Sequence, residues 1–280
     1  MHKKILITGA GSYIGTSFEN WLKRYGEKYA VDTVSTTNGE WETKDFTGYE
    51  TVLHVAGIAH IKETKKNAHR YYEVNRDLAY EIAKKAKSQN VRQFIFLSTM
   101  AIYGMETGEI DGDTKPNPKT HYGRSKLEAE ELLSQLSSDT FKIAIVRPPM
   151  VYGNGCKGNF PKLVKLARST PIFPDYPNKR SMIFIDNLCE CLRMLVDEGD
   201  GSIYHPQNSE YVSTPDMVKL IAECTGKRIL TTKALNPLVR LLPRDAANKL
   251  FGDLYYDKAM SGDTARYSAT GFKESIKRSI

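Results

Sequence analysis

Three features of this 280-residue chain predict an α/β fold, a doubly wound parallel sheet followed by a smaller mixed region. Short, continuously apolar runs alternate with helical patterns up to about residue 153, as strands covered on both faces require. The first run, KKILIT (Lys3 to Thr8), stops at a glycine-bearing turn that opens a helix. The composition, 40% hydrophobic and 26% charged, supports a real core and excludes a disordered or low-complexity chain.

The elements follow in order. After the turn at Gly9 to Gly15, Tyr13 to Tyr25 reads as a helix and Tyr29 to Ser35 as a second strand. TVLHV (Thr51 to Val55) is a third strand. Tyr71 to Ser88 is a long helix, with Tyr72, Leu78, Ile82 and Ala86 near helical spacing. FIFLS (Phe94 to Ser98) is the next strand, Tyr122 to Leu136 a helix, and KIAIVR (Lys142 to Arg147) a strand that Pro148-Pro149 ends. Prolines 161, 171, 174 and 177 break the following stretch. Met182 to Ile185, a helix through Val196, and Ile203-Tyr204 read as one more β-α-β passage returning to the sheet. Thr214 to Thr225 is a helix with Ser213 or Thr214 as cap and Pro215 in its first turn. Two domains are expected: residues 1–153 with 181–208, and residues 154–180 with 209–280.

Lys plus Arg exceed Asp plus Glu by seven, which suits small anions such as phosphates. No basic stripe with interleaved aromatics suggests nucleic acid as a partner. The four cysteines (156, 189, 191, 224) form no C-x-x-C pair and have no metal-ligand spacing, so core thiols and no metal are expected. Residue 5 already begins a strand, which leaves no room for a signal peptide, and no apolar run approaches the roughly 18 residues of a membrane span. A cytoplasmic protein without a membrane partner is the expectation. His60 and His69 read as surface positions.

Candidate chemistry concentrates in three places. The loop Thr8 to Gly15 (TGAGSYIG) lies between a strand and a helix, where glycines let the backbone approach a pyrophosphate and the helix N-terminus offers N–H groups. Gly9, Gly11, Ser12, Tyr13, Ile14 and Gly15 are the candidate contacts. An acid at the end of the second strand would hold an NAD ribose. Here that end is Ser35, Thr36 and Thr37, with Asp32 mid-strand, which favours NADP(H) while NAD(H) remains possible. Finally, Tyr122 and Lys126 are four apart on one helix and share a face. A nearby ammonium is expected to lower the phenol's pKa, so that Tyr122 can pass a proton to or from a carbinol oxygen. Thr99, just past a strand's C-terminal end, can hydrogen-bond the same oxygen.

Together these motifs resemble the extended short-chain dehydrogenase/reductases, the nucleotide-sugar epimerase/dehydratase/reductase group, from about residue 3 to about residue 225. The resemblance implies a Rossmann-type domain and a smaller nucleotide-sugar-binding domain. Thr8 to Gly15 resembles the family's T-G-x-x-G-x-x-G loop, with Ser12 in place of the middle glycine. HVAG (His54 to Gly57) resembles a cofactor-contacting strand end, implicating His54, Ala56 and Gly57. Asn75 matches an asparagine that orders the active site, and is grouped with the cofactor residues. Thr99, Tyr122 and Lys126 match the catalytic Ser/Thr, Tyr and Lys. RPPMVYGNG (Arg147 to Gly155) resembles the segment leading into the substrate domain, which implicates Pro149. Arg180 resembles an arginine that meets the substrate pyrophosphate, and Met100 and Asn159 are further substrate candidates by resemblance. The family also implies a homodimer, built on the helices at 71–88 and 122–136.

The family's 4,6-dehydratases carry an Asp-Glu pair after the catalytic Ser/Thr, and its GDP-fucose-forming members a nearby Cys. Met100 and Ala101 stand there instead and move no protons. A 4-ketoreductase and a 4-epimerase remain. The absent acid at Ser35 and the short chain lean toward the reductase. KRSMIFIDNLCE (179–190) and HPQNSEYVSTPDMV (205–218) resemble reductases that form UDP-N-acetylquinovosamine for surface polysaccharide, which implies NADPH-dependent reduction of a UDP-4-keto-6-deoxy-N-acetylhexosamine. The alternative is a UDP-glucose or UDP-N-acetylglucosamine 4-epimerase with tightly bound NAD. Family members that only sense NADP(H) usually lose the Tyr or the Lys, and both are present.

Overall fold

Alternation along KKILIT sends Leu6 to one face of a sheet and Ile5 and Ile7 to the other, and all three are fully buried, as a strand covered on both faces requires. The computed structural model describes residues 2–59 and 61–280; the expectation for His60 lies outside them, and His69 is exposed.

The chain runs β1 (Lys3–Thr8), α1 (Tyr13–Leu22), β2 (Tyr29–Val34), a short α2 (Glu40–Thr43) and β3 (Thr51–His54). Then come α3 (Ala68–Tyr72), α4 (Leu78–Ser88), β4 (Gln93–Leu97), β5 (Gly108–Ile110), α5 (His121–Ser134), β6 (Lys142–Val146), β7 (Met150–Tyr152), α6 (Phe160–Ser169) and β8 (Ile172–Pro174). The remainder is β9 (Met182–Phe184), α7 (Ile185–Glu198), β10 (Ile203–Tyr204), α8 (Thr214–Cys224), β11 (Leu230–Thr232), α9 (Asn236–Val239), α10 (Arg244–Phe251), β12 (Leu254–Tyr256) and α11 (Phe272–Ser279).

These elements form two units: residues 1–104, 115–148 and 188–206, and residues 105–114, 149–187 and 207–280. The boundaries thus fall at 148 and 187, against 153 and 180 in the sequence reading. The first unit holds a six-stranded, all-parallel sheet in the order β10-β6-β4-β3-β1-β2. The strand order reverses at β1, which lies between β2 and β3, and ligands of such sheets bind outside the strand ends at that switch. On one face Leu6, Val52, Phe94 and Phe96 pack with Ile82, Ala83 and Ala86 of α4 and Ala129 and Leu133 of α5.

Three expectations are corrected. The long helix is not one α-helix: a π-turn over Glu73–Asp77 separates α3 from α4. Of the last β-α-β passage, Ile203–Tyr204 does join the main sheet beside β6, but Met182–Phe184 pairs with β7 in the second unit. Three apolar residues signal burial without naming a partner. The third is the tail: from Thr231 the sequence shows no clear strand order, yet β11 pairs with β8 and β12 with β5. The second unit packs around Tyr152, whose ring meets Phe160 and Phe184 and whose hydroxyl meets Ser275 and Asn208. Cys156, Cys189 and Cys191 are buried free thiols, as expected, and Cys224 is partly buried.

Candidate active site

The first unit gathers most of the expected site at the C-terminal ends of β1, β3 and β4. Gly9 has φ +104°, and a Cβ there would stand 2.8 Å from the Ala56 nitrogen, so the loop after β1 and the loop after β3 touch backbone to backbone. The Gly9 and Ala10 N–H groups donate to the Val34 carbonyl at 3.0 and 3.1 Å, tying the loop to the end of β2. Ser12 remakes the turn as the N-cap of α1: its hydroxyl accepts from the Gly15 N–H at 3.2 Å. The Ile14 N–H, in the first turn, has no carbonyl within the helix to meet and can serve an anion.

β2 ends at Val34, so Ser35 and Thr36 occupy the position past its end and Asp32 lies within the strand. The Tyr49 hydroxyl donates to the Asp32 carboxylate at 2.5 Å, and that contact and burial push the Tyr49 phenol above its usual range. The Ser35 hydroxyl also accepts from the Thr37 N–H at 3.3 Å.

Past β4, Thr99 caps a 3-10 turn, Met100–Tyr103, by accepting the Ala101 N–H at 3.1 Å. The Met100 N–H donates to Pro148 at 3.0 Å, and the Met100 side chain is buried. Thr120 caps α5 through the Gly123 N–H at 3.0 Å, which starts that helix one residue before Tyr122. Tyr122 lies close enough to Thr99 for the threonine hydroxyl to favour its ionised form, and Tyr71 packs edge-on against its ring at 6.5 Å. One turn further on, the buried Lys126 ammonium donates to the Leu97 carbonyl at 2.7 Å and lies 4.4 Å from the centre of the Phe96 ring. A Cβ on Gly57 would stand 3.0 Å from the Asn75 Oδ1 and 3.4 Å from the Lys126 Nζ. Thr99, Tyr122, Lys126, Asn75 and Gly57 therefore share one place.

The electrostatics differ from the expected lowering of the Tyr122 pKa by Lys126. Burial raises the Tyr122 pKa, and the contact with Thr99 only partly opposes it. Lys126 is pushed down to about 7, mainly by burial and against the pull of Glu130. Both groups lean toward neutrality because little water remains to stabilise their charges.

Two residues grouped with the cofactor contacts have other partners. His54 is fully buried, its Nδ1 is 2.7 Å from the Thr8 hydroxyl, and Phe94 and Phe96 stack on its ring. Burial, and then Lys126, lower its pKa to about 3. The fully buried Asn75 sits in the π-turn and uses its whole amide: Nδ2 donates to the Ile58 carbonyl and the Ser125 hydroxyl, both at 3.1 Å, and Oδ1 accepts the Ile58 N–H at 2.8 Å. It acts by joining the loop after β3 to α5.

Pro149, Asn159 and Arg180 belong to the second unit. Asn159 is exposed just ahead of α6. The Arg180 guanidinium is held by the Gly252 and Asn248 carbonyls at 2.9 and 3.3 Å. Burial lowers its pKa and Asp253 opposes the shift at longer range.

Residues 5–205 match the family described as "NAD dependent epimerase/dehydratase family". The chain belongs to this family. Among its relatives, the UDP-glucose 4-epimerase of Vibrio cholerae is 30% identical over 81% of this chain and 77% of its own. The N-acetyl-alpha-D-glucosaminyl-diphospho-ditrans,octacis-undecaprenol 4-epimerase of Escherichia coli O157:H7 is 25% identical over 80% of this chain and 72% of its own. The fold is also that of a dTDP-4-dehydrorhamnose reductase from Clostridium acetobutylicum (TM-score 0.76, 20% identity, 99% of this chain and 98% of that one).

Three features that support the site in this epimerase/dehydratase family member carried no warning in the sequence. Glu63 accepts the Tyr122 N–H at 2.9 Å and the His121 N–H at 3.1 Å, placing a carboxylate on the positive end of α5. Glu130 and Arg147 form a buried ion pair at 2.6 Å, and the same carboxylate also meets Ser98. This pair ties α5, one turn beyond Lys126, to the end of β6. Gly123 is the third: a Cβ there would stand 2.7 Å from the Ala101 carbonyl oxygen, a backbone atom. Gly123→Ala is expected to cost about 1–3 kcal/mol by overpacking and to separate Tyr122 from Thr99. Urea unfolding would give the stability loss, and an activity loss at unchanged cofactor affinity would give the separation.

Proposed function

We propose that this protein is a nucleotide-sugar oxidoreductase that uses NADPH to reduce a UDP-4-keto-6-deoxy-N-acetylhexosamine at its 4-keto carbon, giving a product of the UDP-N-acetylquinovosamine type for surface polysaccharide. The observation that carries the reading is Thr99 and Lys126 placed around a Tyr122 whose pKa is raised. A phenol kept protonated is a proton donor, the role a carbonyl oxygen needs as its carbon is reduced.

The residues present fit a dinucleotide. The backbone cradle at Gly9 and Ala56 would be filled by any Cβ, and the capped start of α1 suits a pyrophosphate. The loop Gly9 to Gly15, Ser35, Thr36, Ala56 and Gly57 would hold the cofactor, with Pro149 a further contact. When bound, a nicotinamide cofactor supplies the hydride. Thr99 orients and polarises the keto oxygen, Tyr122 protonates it, and Lys126 holds ribose hydroxyls and keeps the phenol in place. In the second unit, Arg180 suits the substrate's diphosphate: it is a half-buried cation whose close partners are neutral carbonyls. Met100 and Asn159 are proposed to complete the substrate contacts.

The preference for NADP(H) rests on β2, which ends in hydroxyl side chains while Asp32 is engaged by Tyr49. Ser35→Asp is expected to move the ratio of kcat/KM with NADPH to that with NADH toward NADH by at least about tenfold, because a carboxylate there bonds a ribose hydroxyl and repels a 2′-phosphate. An unchanged ratio would remove Ser35 from the cofactor site.

The second reading is a 4-epimerase with tightly bound NAD, favoured by the Vibrio cholerae relative, itself named a UDP-glucose 4-epimerase. Mixing the protein with the 4-keto substrate and NADPH or NADH separates the two. Rapid loss of NADPH absorbance, with the reduced sugar as product, is the expected result. Protein that carries NAD and interconverts UDP-hexoses without added cofactor would establish the epimerase instead.

A further inference from the structure

Five of the nine large hydrophobic side chains found exposed among the described residues lie in one part of the second unit. They are Leu230, Leu238, Leu241, Leu242 and Ile172, and Ile172 is paired across two strands with Leu230. Leu241 is 79% exposed, Leu230 63% and Leu238 53%. The backbone explains why two of them share a face, with Leu242 next in the chain. After α9 the chain continues as a helical turn, with Arg240, Leu241 and Leu242 donating to the carbonyls of Pro237, Leu238 and Val239. In a turn of this i→i−3 kind Leu238 and Leu241, three apart, share one face, and Leu242 follows at its edge. Val239 points the other way and is buried. A globular fold turns such a stripe inward, whereas here it faces out.

The charge along this stretch of the chain is equally uneven. Residues 227–249 hold six basic side chains (Lys227, Arg228, Lys233, Arg240, Arg244, Lys249) and one acid, Asp245, hence five of the chain's seven excess positive charges. All six are exposed, and among the described residues none forms an ion pair with a carboxylate.

We propose that this face seats the protein on an anionic lipid bilayer. The leucines enter the boundary between headgroups and acyl chains, while Arg240, Arg244 and Lys233 meet lipid phosphates. The charge selects this occupant: two copies of so basic a face repel each other, and a nucleic acid leaves the leucines in water. The contact is peripheral, since no described helix is long and apolar enough to cross a membrane. It runs counter to the expectation of no membrane partner and does not depend on the enzymatic reading.

The test is co-sedimentation of the full chain with vesicles of phosphatidylcholine alone or with about one-third phosphatidylglycerol. Binding to the anionic vesicles is expected, weakening as salt rises. Leu241→Ser with Leu242→Ser, and separately Arg240→Glu with Arg244→Glu, are expected to weaken it at least about tenfold. Thermal unfolding of both variants should match the parent, since these side chains are exposed. Failure to sediment with anionic vesicles, or equal sedimentation of the parent and both variants, overturns the proposal. So would a dimer in solution that the leucine substitutions dissociate, because the face would then belong to a second copy.

Discussion

Replacing Tyr122 with Phe is expected to lower kcat by about 10²- to 10⁴-fold, the usual worth of a positioned proton donor, while leaving KM and cofactor affinity within a few-fold of the parent. The substitution removes one oxygen and keeps the ring that Tyr71 packs against. Thr99 keeps its cap on the Ala101 N–H, so its hydroxyl stays where the substrate oxygen needs it. The Tyr122 hydroxyl bonds the keto oxygen more strongly as charge develops on it than in the bound ketone, which is why the loss belongs in kcat. Because burial raises the Tyr122 pKa, the parent should keep reducing its substrate above pH 9, where an unperturbed phenol near 10 begins to ionise. The decline on the alkaline side should be absent from the residual activity of Tyr122→Phe. Near-full activity in this variant, measured in single turnover, would remove Tyr122 from the mechanism and leave the Thr99 contact as packing alone.

Much of this arrangement was legible because it is local. The apolar runs that begin at Lys3, Thr51, Phe94 and Lys142 identify strands of a parallel sheet, and all four lie side by side in it. The spacing of Tyr122 and Lys126 places both on one helical face, and Thr99 lies just past a strand end, so those three positions followed from the chain itself. What stayed hidden depends on distance in sequence. Glu63 sits in a charged stretch, KETKK, that reads as solvated surface, and its partners are 58 and 59 residues away. The residues of the π-turn, EVNRD, are ordinary helix residues, and the turn carries Asn75, which bonds Ile58 and Ser125, 17 and 50 residues away. Residues 182–184 announce burial through composition, but only pairing with β7 tells which unit they enter. The electrostatics were the least legible. A lysine four residues from a tyrosine suggests mutual stabilisation of charges, whereas burial of both reverses the expectation.

That reversal gives Lys126→Met two effects of opposite sign. Activity is expected to fall by at least about 10²-fold, because nothing else in the site can hold the ribose hydroxyls and the phenol together. Stability is expected to rise. Lys126 drops from 10.5 to about 7 on folding, so between those values the unfolded chain binds the proton that the folded chain gives up. Folding stability therefore increases with pH across that window, and the cost of burying the lysine is full below about pH 7 and gone above about 10.5. Methionine fills similar volume without that cost, although the Leu97 carbonyl loses its donor, which returns about 1–3 kcal/mol. The net gain near pH 6.5 is of order a few kcal/mol, or several degrees in Tm, since about 1 kcal/mol moves a chain of this size by about 2–4 °C. By pH 9.5 the two proteins should melt close together. A Lys126→Met variant that melts below the parent at pH 6.5, with a gap that does not change toward pH 9.5, would mean that the ammonium is well solvated. The physical account of the site would then need a charged lysine beside Tyr122, and with it a lowered phenol pKa. The opposite result would show that the enzyme holds a destabilising lysine at its centre for chemistry alone, as functional sites do when activity and stability conflict.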